Sequence, residues 1–143
     1  MKKSIEPNTY ERESFSVERK VVLVVDDNAE ILSLNRTVLE IDNIKVFTAS
    51  SGQEALSILS EINQPDLILL DMQMPDMSGP EFLVILEEKQ SDVLKNVPVV
   101  FLTAMDRVPV SKAVGCIRKP MDIDKFLEAV HRFIAKGPWL QSA

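Results

Sequence analysis

Residues 21–27 have the sequence VVLVVDD, in which five consecutive apolar residues run directly into two aspartates. A short apolar run of this kind is typical of a strand that is buried on both faces, and such strands belong to parallel sheets. Residues 67–71, LILLD, repeat the pattern and end on a third aspartate. Because parallel sheets bind their ligands outside the carboxyl ends of the strands, we expect Asp26, Asp27 and Asp71 to lie together at one edge.

Two further runs are predicted to end at the same edge. Residues 99–102 run into Thr103, and residues 116–118 run into Lys119. Mg²⁺ prefers oxygen ligands and typically takes one or two carboxylates. A carboxylate such as Asp71 can also attack an activated phosphoryl group, and a lysine ammonium can pair with phosphate oxygens. The pattern therefore predicts a site for a divalent cation and a phosphoryl group.

Each of these residues also has an ordinary structural alternative. An aspartate is favoured where a strand turns into a helix, so Asp26 or Asp27 could simply cap the next helix. Thr103 could be a β-branched strand end, and Lys119 could be surface charge, although Pro120 fixes a turn that aims it. His131, the only histidine, is expected to have a partly exposed structural role.

The rest of the chain alternates predicted strands and helices, which indicates an α/β fold with a parallel sheet. Residues 45–49 are predicted as a strand and residues 91–96 as a polar return. Four helices are predicted. The first covers about residues 28–41, and the second lies between Ser50 or Ser51 and Pro65. The third covers about residues 78–90, and the last runs from residue 121 to about residue 136. In the first helix, the apolar residues Ile31, Leu34, Val38 and Ile41 recur at helical spacing. Ile123 is predicted to lie on the apolar side of the last helix.

Composition excludes several function classes. The chain has 143 residues with 45% apolar content, which suits one compact domain. A net charge of −6 and a pI near 4.8 argue against nucleic-acid binding. No apolar stretch approaches the roughly 20 residues that span a bilayer, so membrane insertion is not expected. The single cysteine, Cys116, fits a reducing cytoplasm.

The predicted organisation is a flexible N-terminal arm at residues 1–19, a domain at residues 20–137 and a tail at residues 138–143. A short amphipathic helix that docks onto a partner is the alternative for the arm. Because the chain ends soon after the last helix, we expect a stand-alone domain without an output module.

The stretch LLDMQMPDMSG at residues 69–79, together with Asp26-Asp27, Thr103-Ala104 and Lys119-Pro120, resembles the receiver domain of bacterial two-component response regulators. The likeness covers about residues 19–136. It implies a flavodoxin-like, doubly wound, five-stranded parallel sheet of order 2-1-3-4-5, with helices on both faces.

The same resemblance implies the chemistry of the site. Asp71 would accept a phosphoryl group from a histidine kinase or histidine phosphotransfer protein. Asp27, Asp71 and the backbone carbonyl of Gln73 would bind Mg²⁺ directly, and Asp26 would act through water. Thr103 and Lys119 would contact the phosphoryl oxygens. The protein would signal to a downstream protein target that the sequence does not name, with no enzyme activity beyond its own phosphorylation and dephosphorylation.

Two departures from the family pattern concern the switch. The aromatic residue that normally lies three positions before the lysine is replaced by Cys116. Only residues 104–118 separate Thr103 from Lys119, about six fewer than usual, which is more than one and a half helical turns. We therefore expect the family's fourth helix, between the fourth and fifth strands, to be short or missing.

These departures leave an alternative function open. The chain could be an interaction module with vestigial phosphorylation that binds its partner constitutively. A third hypothesis is a hydrolase with an aspartyl nucleophile, as in haloacid-dehalogenase-type phosphatases. Those enzymes have a second acid two residues after the nucleophile, where this chain has Gln73, and the shared chemistry is only an analogy.

Overall fold

The computed structural model describes residues 18–104, 112–119 and 122–138. Most of the predicted N-terminal arm, Pro120 and nearly all of the predicted tail lie outside these ranges. Within them the elements alternate along the chain as β1 (Val21–Val25), α1 (Ala29–Ile41), β2 (Lys45–Ala49), α2 (Gly52–Glu61), β3 (Leu67–Asp71), α3 (Gly79–Lys89), α4 (Ser91–Asn96), β4 (Val99–Thr103), β5 (Gly115–Arg118) and α5 (Ile123–Lys136). The predicted α/β class is confirmed.

The five strands form one parallel sheet of order β2-β1-β3-β4-β5. This is the order that the family resemblance predicted, and the structure confirms it. The switch point lies between β1 and β3, because the chain moves outward from β1 in both directions. All strands run the same way, so the ends of β1, β3, β4 and β5 meet at one edge of the sheet.

Apolar side chains on both faces of the sheet form two core clusters. Leu23 and Val25 of β1 pack on one side with α2, α3 and α4, while Val22 and Val24 pack on the other with α1 and α5. Every residue of β3 and β4 is buried. Burial on both faces is the physical reason for the continuous apolar runs in the sequence.

Side-chain caps fix where the longer helices begin. The Asn28 side chain accepts hydrogen bonds from the backbone N–H groups of Glu30 and Ile31, and Ser51 accepts one from Glu54. Ser78 forms a capping box with Glu81 at the start of α3. These bonds satisfy N–H groups that have no partner inside the helix.

The structure corrects one prediction about helices and shows how exposed the apolar sides of two others are. Residues 91–96 form the short helix α4 rather than a polar return, and its one buried side chain, Val93, packs into the core cluster beneath α2 and α3. Among the apolar residues at helical spacing in α1, Leu34 and Ile41 are 56% and 80% exposed, because no described element covers that part of the helix. Ile123 of α5 is also exposed, at 56%.

The expectation that the family's fourth helix is short or missing concerns mainly residues 105–111, which lie outside the described residues. Residues 112–114, just before β5, are described and are not helical. In the described part of the chain, none of the helices has the length and apolar character that a membrane crossing requires.

Candidate functional site

The first side of the site is the turn that follows β1. The backbone N–H of Asp26 donates to the carbonyl of Ala49 on the neighbouring strand, at 3.0 Å. Oδ1 of Asp26 accepts a hydrogen bond from the backbone N–H of Asn28, at 2.9 Å. Asp26 is almost fully buried, whereas Asp27 is exposed at the edge of the sheet. The turn therefore presents one fixed and one accessible carboxylate.

Asp71, the last residue of β3, lies next to this turn. It is buried, and its Oδ1 accepts a hydrogen bond from the backbone N–H of Gln73 at 3.3 Å. The side chain of Gln73 is exposed. The loop after Asp71 thus begins by folding back onto the carboxylate.

Gly79 lets helix α3 begin directly against this loop. Its N–H donates to the carbonyl of Met72 at 2.9 Å. A Cβ atom at this position would lie 2.7 Å from the ring of Phe101 and 3.2 Å from the backbone oxygen of Asp71. Only glycine fits without displacing these atoms, so Gly79 sets the position of the backbone that carries Asp71.

Thr103 and Lys119 approach from the other side, at the ends of β4 and β5. Thr103 is buried, and its carbonyl accepts the backbone N–H of Lys119 at 2.7 Å. The Lys119 ammonium lies 3.3 Å from Oδ2 of Asp26 and 3.5 Å from Oδ1 of Asp71. The structure therefore brings the sequence-predicted residues Asp26, Asp27, Asp71, Thr103 and Lys119 to one edge of the sheet.

The three aspartates have the donor set of a hard cation site. One carboxylate oxygen from each of Asp26, Asp27 and Asp71 lies within 4.8 Å of the others. The Lys119 ammonium offsets only part of their negative charge. Oxygen ligands grouped around surplus negative charge fit Mg²⁺, which would keep water on its remaining positions.

The electrostatics of the cluster change the acidity of Asp71. Burial, followed by repulsion from Asp26 and then Asp27, raises the pKa of Asp71 from 3.8 to about 6. The Lys119 ammonium and the N–H of Gln73 act in the opposite direction. Asp71 is therefore mainly ionised at neutral pH, as a nucleophilic carboxylate must be.

Other residues singled out in the sequence lie apart from this cluster. His131 on α5 contacts Asp42 at the end of α1, with Nε2 and Oδ2 2.5 Å apart. Cys116 is exposed on β5. The sequence motifs did not predict that the Asn28 N–H holds Asp26 or that Gly79 must approach Asp71 closely. The glycine and proline that open α3 were the available signal for the second contact.

Comparisons with known proteins agree with this geometry. Residues 22–131 match the family model for the response regulator receiver domain. The chain is 34% identical over 119 residues to sporulation initiation phosphotransferase F of Bacillus subtilis, covering 79% of this chain and 92% of that protein. It is 31% identical over 121 residues to the polar-differentiation response regulator DivK of Brucella anthropi, covering 80% of this chain and 96% of DivK.

Solved structures show the same likeness. The chemotaxis protein CheY4 of Vibrio cholerae matches with a TM-score of 0.73 and 30% identity, over 80% of this chain and 98% of CheY4. The response regulator TrrA of Thermotoga maritima, solved in complex with Mg²⁺ and BeF, matches with a TM-score of 0.68 and 32% identity, over 79% of this chain and 97% of TrrA.

Proposed function

The chain belongs to the response regulator receiver domain family of two-component signalling, and we propose that it accepts a phosphoryl group on Asp71 in a Mg²⁺-dependent reaction. The observation that carries the proposal is the placement of Lys119 between two carboxylates of a three-aspartate cluster, at 3.3 and 3.5 Å. We assign the receiver domain to residues 20–137. Action without an output domain stays a prediction from the sequence.

The proposed donor is a phosphohistidine on a histidine kinase or histidine phosphotransfer protein in the cytoplasm. An oxygen of Asp71 forms the new O–P bond as the N–P bond of the donor breaks and its electron pair returns to the imidazole. The product is an acyl phosphate. The buried Asp71 side chain faces less competing water than an exposed carboxylate would.

Each of the other site residues has a distinct role in the proposal. Asp27, Asp71 and the carbonyl of Gln73 would hold Mg²⁺, with Asp26 acting through water. When bound, Mg²⁺ supplies positive charge that neutralises the transferring oxygens. Lys119 would pair with one phosphoryl oxygen and the Thr103 hydroxyl with another.

Intact-mass spectrometry tests the phosphoacceptor directly. With a small acyl phosphate donor and Mg²⁺, we expect one phosphoryl group to be added to the wild type and none to Asp71→Asn. Asp76→Asn is the matched control, because Asp76 is an exposed carboxylate in the same loop. Equal uptake by Asp71→Asn and the wild type would exclude Asp71 as the acceptor.

A second candidate function is favoured by Cys116, which is exposed where the family normally carries the switching aromatic ring. In that case the chain would be an interaction module that binds its downstream protein constitutively. A pull-down with and without beryllofluoride, a phosphoryl mimic, separates the two functions. Capture that depends on beryllofluoride supports the phosphorylation switch, and identical capture in both samples supports the constitutive module.

A further inference from the structure

The loop between β3 and α3, residues 72–78, packs against the start of helix α2. Gly52 is the first residue of α2 and is buried. A Cβ atom on Gly52 would lie 2.5 Å from Sδ of Met77, 3.2 Å from its Cε and 3.4 Å from its Cβ. Because the methionine side chain packs directly on the backbone of α2, only a residue without a side chain fits at position 52.

Met77 is one of two side chains that attach the middle of this loop to the core. Within residues 73–77, Met74 and Met77 are buried, and the other three residues are exposed. Both methionines belong to the core cluster beneath α2 and α3. Since the side chain of Gln73 is exposed, the position of its backbone carbonyl depends on how its neighbours fix the loop.

The turn between β2 and α2, which ends at Gly52, also supports the other side of the cation site. The carbonyl of Ala49 accepts the backbone N–H of Asp26 at 3.0 Å. Ser50 donates its backbone N–H and its hydroxyl to the Glu54 carboxylate at 2.6 and 2.9 Å, which ties the turn to the first turn of α2. One short turn therefore contacts both segments whose oxygens would surround the cation.

We propose that Met77 is a positioning residue for the cation site, because its contact with Gly52 fixes the loop that carries the Gln73 carbonyl. The role of that carbonyl as a Mg²⁺ ligand rests on the proposed function. Mg²⁺ demands near-ideal octahedral geometry, so its affinity is sensitive to a displaced ligand. Residues that orient metal ligands from behind typically change metal affinity by about 10–100-fold when they are replaced.

Met77 also fills the core, so its truncation costs stability whatever its role at the site. Leu59 is the matched control for this effect. It lies further along α2, belongs to the same core cluster and is 6% exposed, against 7% for Met77. Truncation of a buried leucine or methionine to alanine costs a similar amount of stability. Only the loss of Met77 should also release the loop.

Amide hydrogen exchange in the metal-free protein tests the positioning without a cation. The N–H of Gly79 donates to the carbonyl of Met72 at 2.9 Å, so its protection reports whether the loop is closed. In Met77→Ala, we expect the protection of Gly79 to fall about tenfold more than that of Val97, whose N–H is bonded at the end of α4. In Leu59→Ala, the two amides should lose protection equally.

Titration with MgCl₂, followed through the amide signal of Asp27, measures the effect on the cation site. Met77→Ala should raise the dissociation constant for Mg²⁺ about tenfold. Met77→Leu, which nearly conserves the side-chain volume, should bind Mg²⁺ within about twofold of the wild type. Leu59→Ala should retain the wild-type dissociation constant, since a general loss of stability does not displace the loop in the folded protein.

Gly52→Ala tests the same contact from the side of α2 and removes no core side chain, so it also serves if Met77→Ala does not fold. Its added Cβ would displace the methionine, and both the protection of Gly79 and the Mg²⁺ affinity should fall. In the double variant Gly52→Ala/Met77→Ala the new methyl group has space. The double variant should therefore bind Mg²⁺ no more weakly than Met77→Ala alone.

Equal loss of protection at Gly79 and Val97 in Met77→Ala would overturn the proposal. So would a double variant whose Mg²⁺ affinity is weakened by the product of the two single effects, because the two residues would then act independently. A wild type that bound no Mg²⁺ would contradict the proposed function instead. The exchange experiment would still decide whether Met77 holds the loop, because it is carried out without the cation.

Discussion

The ammonium of Lys119 lies 3.5 Å from Oδ1 of Asp71, although 48 positions separate the two residues in the sequence. The contact exists because β3, β4 and β5 are parallel neighbours whose ends lie at one edge of the sheet. The Asp71 side chain is only 12% exposed and that of Lys119 is 31% exposed, so water screens the pair incompletely.

Replacing Lys119 by methionine should raise the pKa of Asp71 above its value of about 6. The positive charge of Lys119 lowers that pKa. Methionine removes the charge but keeps most of the apolar stem of the side chain. Titration of the Asp71 carboxyl carbon by NMR measures the change. The same variant should accept phosphate at least tenfold more slowly from an acyl phosphate.

Lys112→Met is the matched control for this prediction. Lys112 pairs with Glu87 on the surface at 3.4 Å, with both side chains more than half exposed. Its removal should leave the pKa of Asp71 unchanged. A fall in that pKa after Lys119→Met would contradict the electrostatic account of the site.

Asp71→Asn should stabilise the fold at neutral pH. The pKa of Asp71 is about 6 when folded and 3.8 as its ordinary value, so the folded state binds the proton more tightly. The free energy of unfolding therefore falls as pH rises from about 3.8 to about 6, and the penalty is complete above that window. Because Asp71→Asn removes this penalty, its free energy of unfolding at pH 7 should be higher than that of the wild type by on the order of 1–3 kcal/mol. Urea unfolding at pH 7 and at pH 3.5 measures the difference, which should vanish at the lower pH.

The exposed loop residue Asp76 provides the comparison for the pH experiment. Asp76→Asn should change the free energy of unfolding by less than about 0.5 kcal/mol at either pH. A destabilised Asp71→Asn at pH 7 would show that burial of the Asp71 charge and its repulsion from Asp26 do not dominate in the folded protein.

The two-sided burial of the strands explains why so much of the fold was predictable. Residues 21–25 and 67–70 are continuous apolar runs because each face of the sheet meets a separate core cluster. The helix starts predicted near residue 28 and after Ser50 or Ser51 agree with the observed caps Asn28 and Ser51, because capping is a local interaction.

Other features depend on contacts between distant residues and could not be predicted in this way. Helical spacing placed Leu34 and Ile41 on one face of α1, but spacing does not say whether a neighbouring element covers that face. Helix α4 contains a single buried apolar side chain, Val93, which gives no periodic signal. In the site, strand ends predicted which side chains converge, whereas the close approach of Gly79 to Phe101 depends on how separate elements pack.

Adding Mg²⁺ should raise the thermal unfolding midpoint, because a ligand that binds only the folded state stabilises it by RT ln(1 + [Mg²⁺]/Kd). At 100 times Kd this is about 2.7 kcal/mol. Asp27→Asn should reduce the shift, because Asp27 offers an exposed oxygen of the cluster. Asp42→Asn, at the end of α1, should retain the full shift. An equal shift in all three proteins would indicate a general salt effect instead of a site.

Gly79→Ala should both destabilise the protein and impair phosphorylation. The added Cβ would lie 2.7 Å from the Phe101 ring, 3.1 Å from Cα of Met72 and 3.2 Å from the Asp71 carbonyl oxygen. Overpacking of this kind costs about 1–3 kcal/mol and moves the backbone that carries Asp71.

Gly137→Ala is the contrasting variant, because that position has a φ of +70° but open space around it. It should cost about 1–2 kcal/mol through backbone strain alone and leave the phosphorylation rate unchanged. Equal phosphorylation rates in the two variants would show that Gly79 does not position Asp71.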